Sequence, residues 1–150
     1  VANDLERIGD LGKNVAKRVV AIHNHAQPAQ LFGGFDHMAD LVLEQLKQVL
    51  DAFAQRNVQE ALSVWRSDGE IDAMYTSLFR HLLPYMREDP RNITFCIHLR
   101  FCAKNIERIG DHATNIAETV HYLVTGESPA GERPKADNST DLVDLPVPAK

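Results

Sequence analysis

The sequence contains no apolar run that approaches the roughly 20 residues needed to cross a bilayer, and its first residues lack the basic-then-apolar pattern of a secretory signal. The expectation is a soluble, intracellular protein that meets a membrane only through partners. Positive charge is also short. Sixteen Lys and Arg against 21 Asp and Glu leave a formal charge of −5, and the cations form no stripe. The electrostatic footprint of direct nucleic-acid binding is therefore missing. Cysteine is scarce as well: Cys96 and Cys102 stand six apart in one apolar helical pattern, which is neither a C-x-x-C redox pair nor a zinc spacing. Both are expected to pack in a core. No stretch reads as a β-strand, and no nucleophile and general base can be assembled into a catalytic cleft, so no enzymatic activity is expected.

What the chain does have is helical periodicity, with 44% apolar and 25% charged side chains over 150 residues. Leu5, Ile8, Val15, Val19 and Ile22 mark one face of a helix running to about Ala26, ended by Pro28 and the glycines at 33 and 34. A second helix is predicted from Asp36, as N-cap, through Met38, Val42, Leu46, Val49 and Phe53 to Arg56 or Asn57. A third runs from Val58 to Glu88, kinked by Pro84 in its last turn. The fourth and longest runs from Arg91 to Thr125 along Phe95, Leu99, Cys102, Ile106, Ile109, Ala113, Ile116, Val120 and Leu123, with Gly126 as the stop. Residues 126–150, rich in Pro, Gly, Asp and Ser, read as a disordered tail. The fold class is all-α, a bundle of long antiparallel helices with short connections.

The chain also repeats itself. At an offset of 101 residues, Glu6, Arg7, Ile8, Gly9 and Asp10 fall on Glu107, Arg108, Ile109, Gly110 and Asp111, and Asn14 falls on Asn115. A period near 100 residues that contains three helices implies a duplicated three-helix unit. On this reading residues 1–30 are the last helix and linker of a first unit, 31–125 a complete second unit, and 126–150 the tail. Because the chain starts at Val1 inside a periodic pattern, an N-terminal truncation is expected. The apolar stripe of the first helix should then be exposed, so that the chain self-associates or that helix packs elsewhere.

Positions i, i+4 and i+8 share a helix face, which makes Glu107, Asp111 and Asn115 one oxygen-rich row and Glu6, Asp10 and Asn14 another. Asp68 and Asp72 form a third pair with a glycine inside it. Like charges at this spacing repel, and a glycine within a helix costs roughly 1 kcal/mol. Two such helices side by side would place about four negative charges in one patch, which a divalent or trivalent cation relieves. All-oxygen ligands suit hard ions such as Mg, Ca, Mn or iron, and the glycines let a neighbouring helix approach closely. Because Glu107 and Asp111 lie off the main apolar seam, the expected site is a shallow patch on a bundle flank. Arg7 and Arg108 are read as screening their acidic neighbours. The competing reading is a solvated acidic face.

The strings "DLERIGDLGKNVAK", "SDGEIDAMYTSLFRHLLPYM" and "NIERIGDHATNIAETVHYLVTGE" closely resemble the PhoU family, the accessory regulators of the bacterial phosphate-specific transport system, over about residues 1–127. The resemblance implies a cytoplasmic protein of two three-helix bundles whose E/D-x-x-x-D pairs bind multinuclear metal clusters, iron or zinc in some members. It implies no catalysis, a homodimer, and a relay of phosphate sufficiency from the transporter, through its ATPase subunit, to a sensor histidine kinase. Carried over by motif, Glu107 and Asp111 with Asp68 and Asp72 would line the second cluster. Glu6 and Asp10 would be half of the first, with their partner pair outside this chain.

Two alternatives remain. Glu118 and His121 form an E-x-x-H string of the ferritin-like di-metal type, but no second copy occurs and His121 suits a helix C-terminus. A metal-free helical docking module is the other. The "HNH" string at 23–25 is expected to be a helix C-terminal turn, and Trp65 and Phe79 to be bundle core.

Overall fold

The computed structural model describes residues 1–23 and 32–136, and every element among them is helical. Helix α1 spans Ala2–Ile22, α2 Gly33–Gln55, α3 Val58–Arg66, α4 Asp68–Glu88 and α5 Ile93–Thr125, with a 3-10 turn at Pro90–Asn92. At 1.5 Å per residue α5 is about 50 Å long, and it is the spine: α1, α2, α3 and α4 all pack against it. Among the described residues no helix is long and apolar enough to cross a membrane.

The predicted third helix is broken in two. Ser67 adopts φ −85° and ψ 0°, ends α3 and begins α4. Its hydroxyl donates to the Val64 carbonyl at 2.9 Å and accepts from Gln45 Nε2 at 2.9 Å, so α2 holds the break in place. The break sets Asp68 at the first position of α4, where the free backbone N–H groups and the helix dipole favour a carboxylate. Asp36 is likewise not the α2 cap. That helix starts three residues earlier, with Phe32 as its N-cap, and Asp36 lies inside its first turn.

The junction of α2 and α3 follows ordinary capping chemistry. Arg56 takes the left-handed conformation at φ 53°, and the Asn57 side chain accepts from the backbone N–H groups of Gln59 and Glu60 at 3.1 and 3.2 Å. Pro84 sits within α4, which continues to Glu88. Gly126, at φ 79°, closes α5 as its spacing predicts.

Two apolar clusters form the core. One gathers Met38, Val42, Ile71, Tyr75, Leu82, Phe95, Cys96 and Leu99; the other gathers Val49, Ala52, Val64, Trp65, Ala113, Ile116 and Val120. Between them stands a polar side chain on α2, at the α3–α4 junction and on α5: Gln45 between Val42 and Val49, Asp68 between Trp65 and Ile71, Glu107 between Ala103 and Ala113. A polar belt therefore divides the apolar interior. Both cysteines are buried free thiols, as their spacing predicts. Phe79 is only half-buried and lies under the Arg100 guanidinium at 4.7 Å, so of the two aromatic residues assigned to the core only Trp65 is in it.

Helix α1 packs along α5, with Leu11 and Ile22 buried, Ile8 and Val15 half-buried, and Leu5 and Val19 exposed. The stripe is thus partly sheltered by α5, and Leu11, which the periodicity omitted, turns inward with it. His23 is the C-cap of α1; Asn24 and His25 lie outside the described residues, as do 137–150 of the tail.

Candidate functional site

The belt brings four carboxylates together at the junction of α4 and α5. Asp68 and Asp72 are each 2% exposed and Glu107 3%, while Asp111 is half-buried. The expected shallow flank patch is therefore largely interior. The cause lies at Gly110, where a Cβ would stand 2.7 Å from Ile71 Cδ1. The bare backbone draws α4 onto α5 and closes over the acids on either side.

Each acid has its own partners. Asp68 accepts from the buried Thr114 hydroxyl at 2.9 Å and from Arg133 through Nε at 2.8 Å and Nη2 at 2.9 Å. Asp111 Oδ1 accepts from Arg133 Nη2 at 2.7 Å and from Lys135 Nζ at 2.6 Å. Asp72 accepts from the backbone N–H of Ala136 at 3.1 Å. Glu107 Oε1 accepts from Lys104 Nζ at 2.8 Å, and its Oε2 is buried with no hydrogen-bond partner. Arg133 also donates to Asn115 Oδ1 at 3.2 Å, so Asn115 supports the cluster through this arginine.

Burial pushes the carboxyl groups of Asp72 and Glu107 above their ordinary values, because the charged form loses solvent. For Glu107 the Lys104 ammonium pulls in the opposite direction, while the charges of Asp111 and Asp72 add to the rise. The Ala136 N–H and Lys135 moderate the rise at Asp72. Such a cluster can take up protons, cationic side chains or a hard cation. Among the described residues no three His, Cys, Asp or Glu side chains converge as ligands of one ion, and the Arg133 guanidinium lies between Asp68 and Asp111.

The other sequence-derived residues fall elsewhere. Glu6, Asp10 and Asn14 are exposed on α1; Asn14 lines a groove with His98, Phe101 and Asn105 of α5, away from the four carboxylates. The acid of α1 that does reach α5 is Asp4, which lies 3.1 Å from His112 Nδ1 and accepts weakly from Asn115 at 3.5 Å. Arg7 and Arg108 are exposed, and the cations that neutralise the carboxylates are Lys104, Arg133 and Lys135. Glu118 accepts from Trp65 Nε1 at 3.0 Å, and the His121 ring lies 2.8 Å from the Glu127 carbonyl, so each half of the E-x-x-H string is engaged apart from the acidic belt.

Composition does not mark Arg133 and Lys135, because the tail around them has little to bury. The available signal was their spacing. In an extended segment, which Pro134 favours, residues two apart point the same way, so R-P-K presents two cations to one surface.

Comparison with known proteins places this geometry in context. The family model described as the PhoU domain matches residues 35–120. The phosphate-specific transport system accessory protein PhoU homolog of Rhizobium meliloti is 62% identical over 142 residues, which is 95% of this chain and 60% of that protein. The homolog of Caulobacter vibrioides is 47% identical over 137 residues, 91% of this chain and 60% of that protein. The crystal structure of PhoU from Pseudomonas aeruginosa superposes with a TM-score of 0.79 at 40% identity, covering 83% of this chain and 59% of that one. The chain thus spans about 60% of the length of the curated relatives it matches.

Proposed function

The chain belongs to the PhoU family, and from that premise we propose that it is part of a non-catalytic, cytoplasmic, dimeric regulator of phosphate uptake that binds an ion in the α4–α5 carboxylate belt. The regulator restrains the phosphate ABC transporter through its ATPase subunit and holds a sensor histidine kinase in its repressing state. The names of the relatives, accessory proteins of a phosphate-specific transport system, support the transport part of this reading.

The observation that carries the ion is Glu107 Oε2, a buried carboxylate oxygen without a hydrogen-bond partner, on a group that feels the charges of Asp111 and Asp72. An unmet buried acceptor is costly, and a cation satisfies it. The all-oxygen chemistry of the donor set suits the group, although no three of the acids converge on one point while Arg133 pairs with Asp68 and Asp111; Asp68, Asp72, Glu107 and Asp111 would hold it, with iron or zinc expected from the family and Mg or Mn suited to all-oxygen ligands. When bound, the ion supplies positive charge that fixes α4 against α5. Glu6 and Asp10 would serve a second ion only with acidic partners that the described residues do not provide.

The test joins metal content, by mass spectrometry on protein purified without chelators, to a phosphate-starvation reporter in cells. Stoichiometric metal in the wild type, lost together with repression in Glu107→Gln with Asp111→Asn, is the expected result. A helical double variant, by circular dichroism, that still represses the response at high phosphate overturns the site reading.

A further inference from the structure

The belt already has an occupant, drawn from outside residues 35–120, which the family model matches. The segment 132–136 lies across it, with Pro134 and Ala136 against Gly69, where a Cβ would meet both at ordinary van der Waals distance. Its groups take oxygens on three of the four carboxylates. Arg133 covers both oxygens of Asp68, Arg133 and Lys135 share Asp111 Oδ1, and the Ala136 N–H takes Asp72 Oδ2. Two side-chain cations bring the same +2 charge as one divalent ion, delivered to the same acceptors.

We propose that the segment from Arg133 to Ala136 is a built-in competitor for the ion: tail and ion occupy the carboxylate belt in turn, and ion binding releases the tail. The inference rests on the ion reading given under Proposed function. It follows from geometry. The guanidinium lies between Asp68 and Asp111 and uses the lone pairs that an ion bridging α4 and α5 would need. Among the four carboxylates, the buried oxygen without a hydrogen-bond partner belongs to Glu107, the one that the tail does not touch; Gln45 Oε1 is likewise unpaired in the belt.

The mode of holding also suits exchange. Arg133 is only partly buried and Lys135 half-exposed, and the segment adds no residue to either apolar cluster. What holds it is charge and hydrogen bonding, which a small cation can replace directly. The released R-P-K segment would then be free in solution only when the ion is bound. That gives the ion a second consequence besides fixing two helices.

The test uses the 150-residue chain with Mn²⁺ as probe. Hydrogen exchange of the peptide containing 132–136 is followed with and without Mn²⁺, and Mn²⁺ affinity is measured by calorimetry for the wild type and for Arg133→Gln with Lys135→Gln. The expected result is protection of the Ala136 N–H without ion, its loss at saturating Mn²⁺, and affinity at least about tenfold tighter in the variant. Equal affinity with the segment still protected overturns the competition and leaves the ion reading standing. Tighter binding by the variant while Mn²⁺ leaves wild-type protection unchanged reduces the effect to long-range charge and also overturns it. Failure of either protein to bind Mn²⁺, iron or zinc overturns the competition and the ion reading together.

Discussion

Gly110 on α5 and Ile71 on α4 touch so closely that a Cβ at 110 would lie 2.7 Å from Ile71 Cδ1. Its counterpart in the repeat, Gly9, has nothing within 4 Å of the same position. Gly110→Ala must move a side chain that is 1% exposed, at about 1–3 kcal/mol for overpacking, against a gain of roughly 1 kcal/mol in helix propensity. The expected net is destabilisation by about 1 kcal/mol. Gly9→Ala should stabilise this chain by about 0.5–1 kcal/mol. Urea unfolding of the two variants separates them by sign.

Glu107 gives the chain a pH dependence. Below its ordinary value of 4.5 the group is protonated in both folded and unfolded states, so its contribution to stability is fully present. Because burial raises the folded value, the unfolded state ionises first, and stability falls as pH rises through the folded pKa. Glu107→Gln removes that loss: with ion chelated, the variant is expected to be the more stable at pH 7, with a flatter stability curve from pH 4.5 upward. A variant curve parallel to the wild type would show that Glu107 does not set the slope.

Arg133 and Asp68 form a charge pair with one buried member. Without ion, Arg133→Ala strips the guanidinium from Asp68, which is 2% exposed and keeps only Thr114 and the more distant Lys135 at 3.7 Å, at an expected cost of about 2 kcal/mol, below the ~3–5 kcal/mol of a fully buried pair because the arginine is partly exposed. Adding Asp68→Asn should recover most of it. A double-mutant cycle with no coupling would place Arg133 away from Asp68 in solution.

Burial raises the thiol pKa of both Cys96 and Cys102, and neither thiol is exposed. A thiol reagent such as DTNB should react with fewer than one cysteine per native chain over an hour and with both in urea. Fast labelling of Cys102 alone would mean that α1, whose Arg18 lies near it, opens readily.

Helix α5 was legible because one apolar stripe and one closing glycine act locally; Gly126 closes the helix as expected and the stripe is inward as far as Val120, while Leu123, past the end of the core, is exposed. The break at Ser67 was not, since Gln45 on a different helix holds it, and no periodicity within residues 58–88 encodes that bond. The acidic residues of the site were legible from their recurrence, whereas their depth was not. Glu107 sits off the main stripe, and only the approach of α4 at Gly110 turns an off-stripe position into an interior one. The outward face of Glu6 and Asp10 and the inward turn of Leu11 depend on how α1 rests on α5, a contact that a single helix pattern cannot specify. The contact of residues 133–136 with the carboxylates escaped for a related reason. Composition reports what a segment can bury, and Arg133 and Lys135 are held by what α4 and α5 have already buried.

The belt that separates the two apolar clusters also divides the molecule mechanically. The Phe95–Leu99 end and the Ile116–Val120 end share continuous α2 and α5 backbones, but between them lie Gln45, Asp68, Glu107 and Thr114 in place of interlocking hydrocarbon. Each end can then open as its own cooperative unit, with the belt as the weak plane between them. Whatever neutralises the belt is then expected to tune how strongly the halves are welded, which hydrogen exchange would read as one opening free energy shared by both ends or as two separate ones.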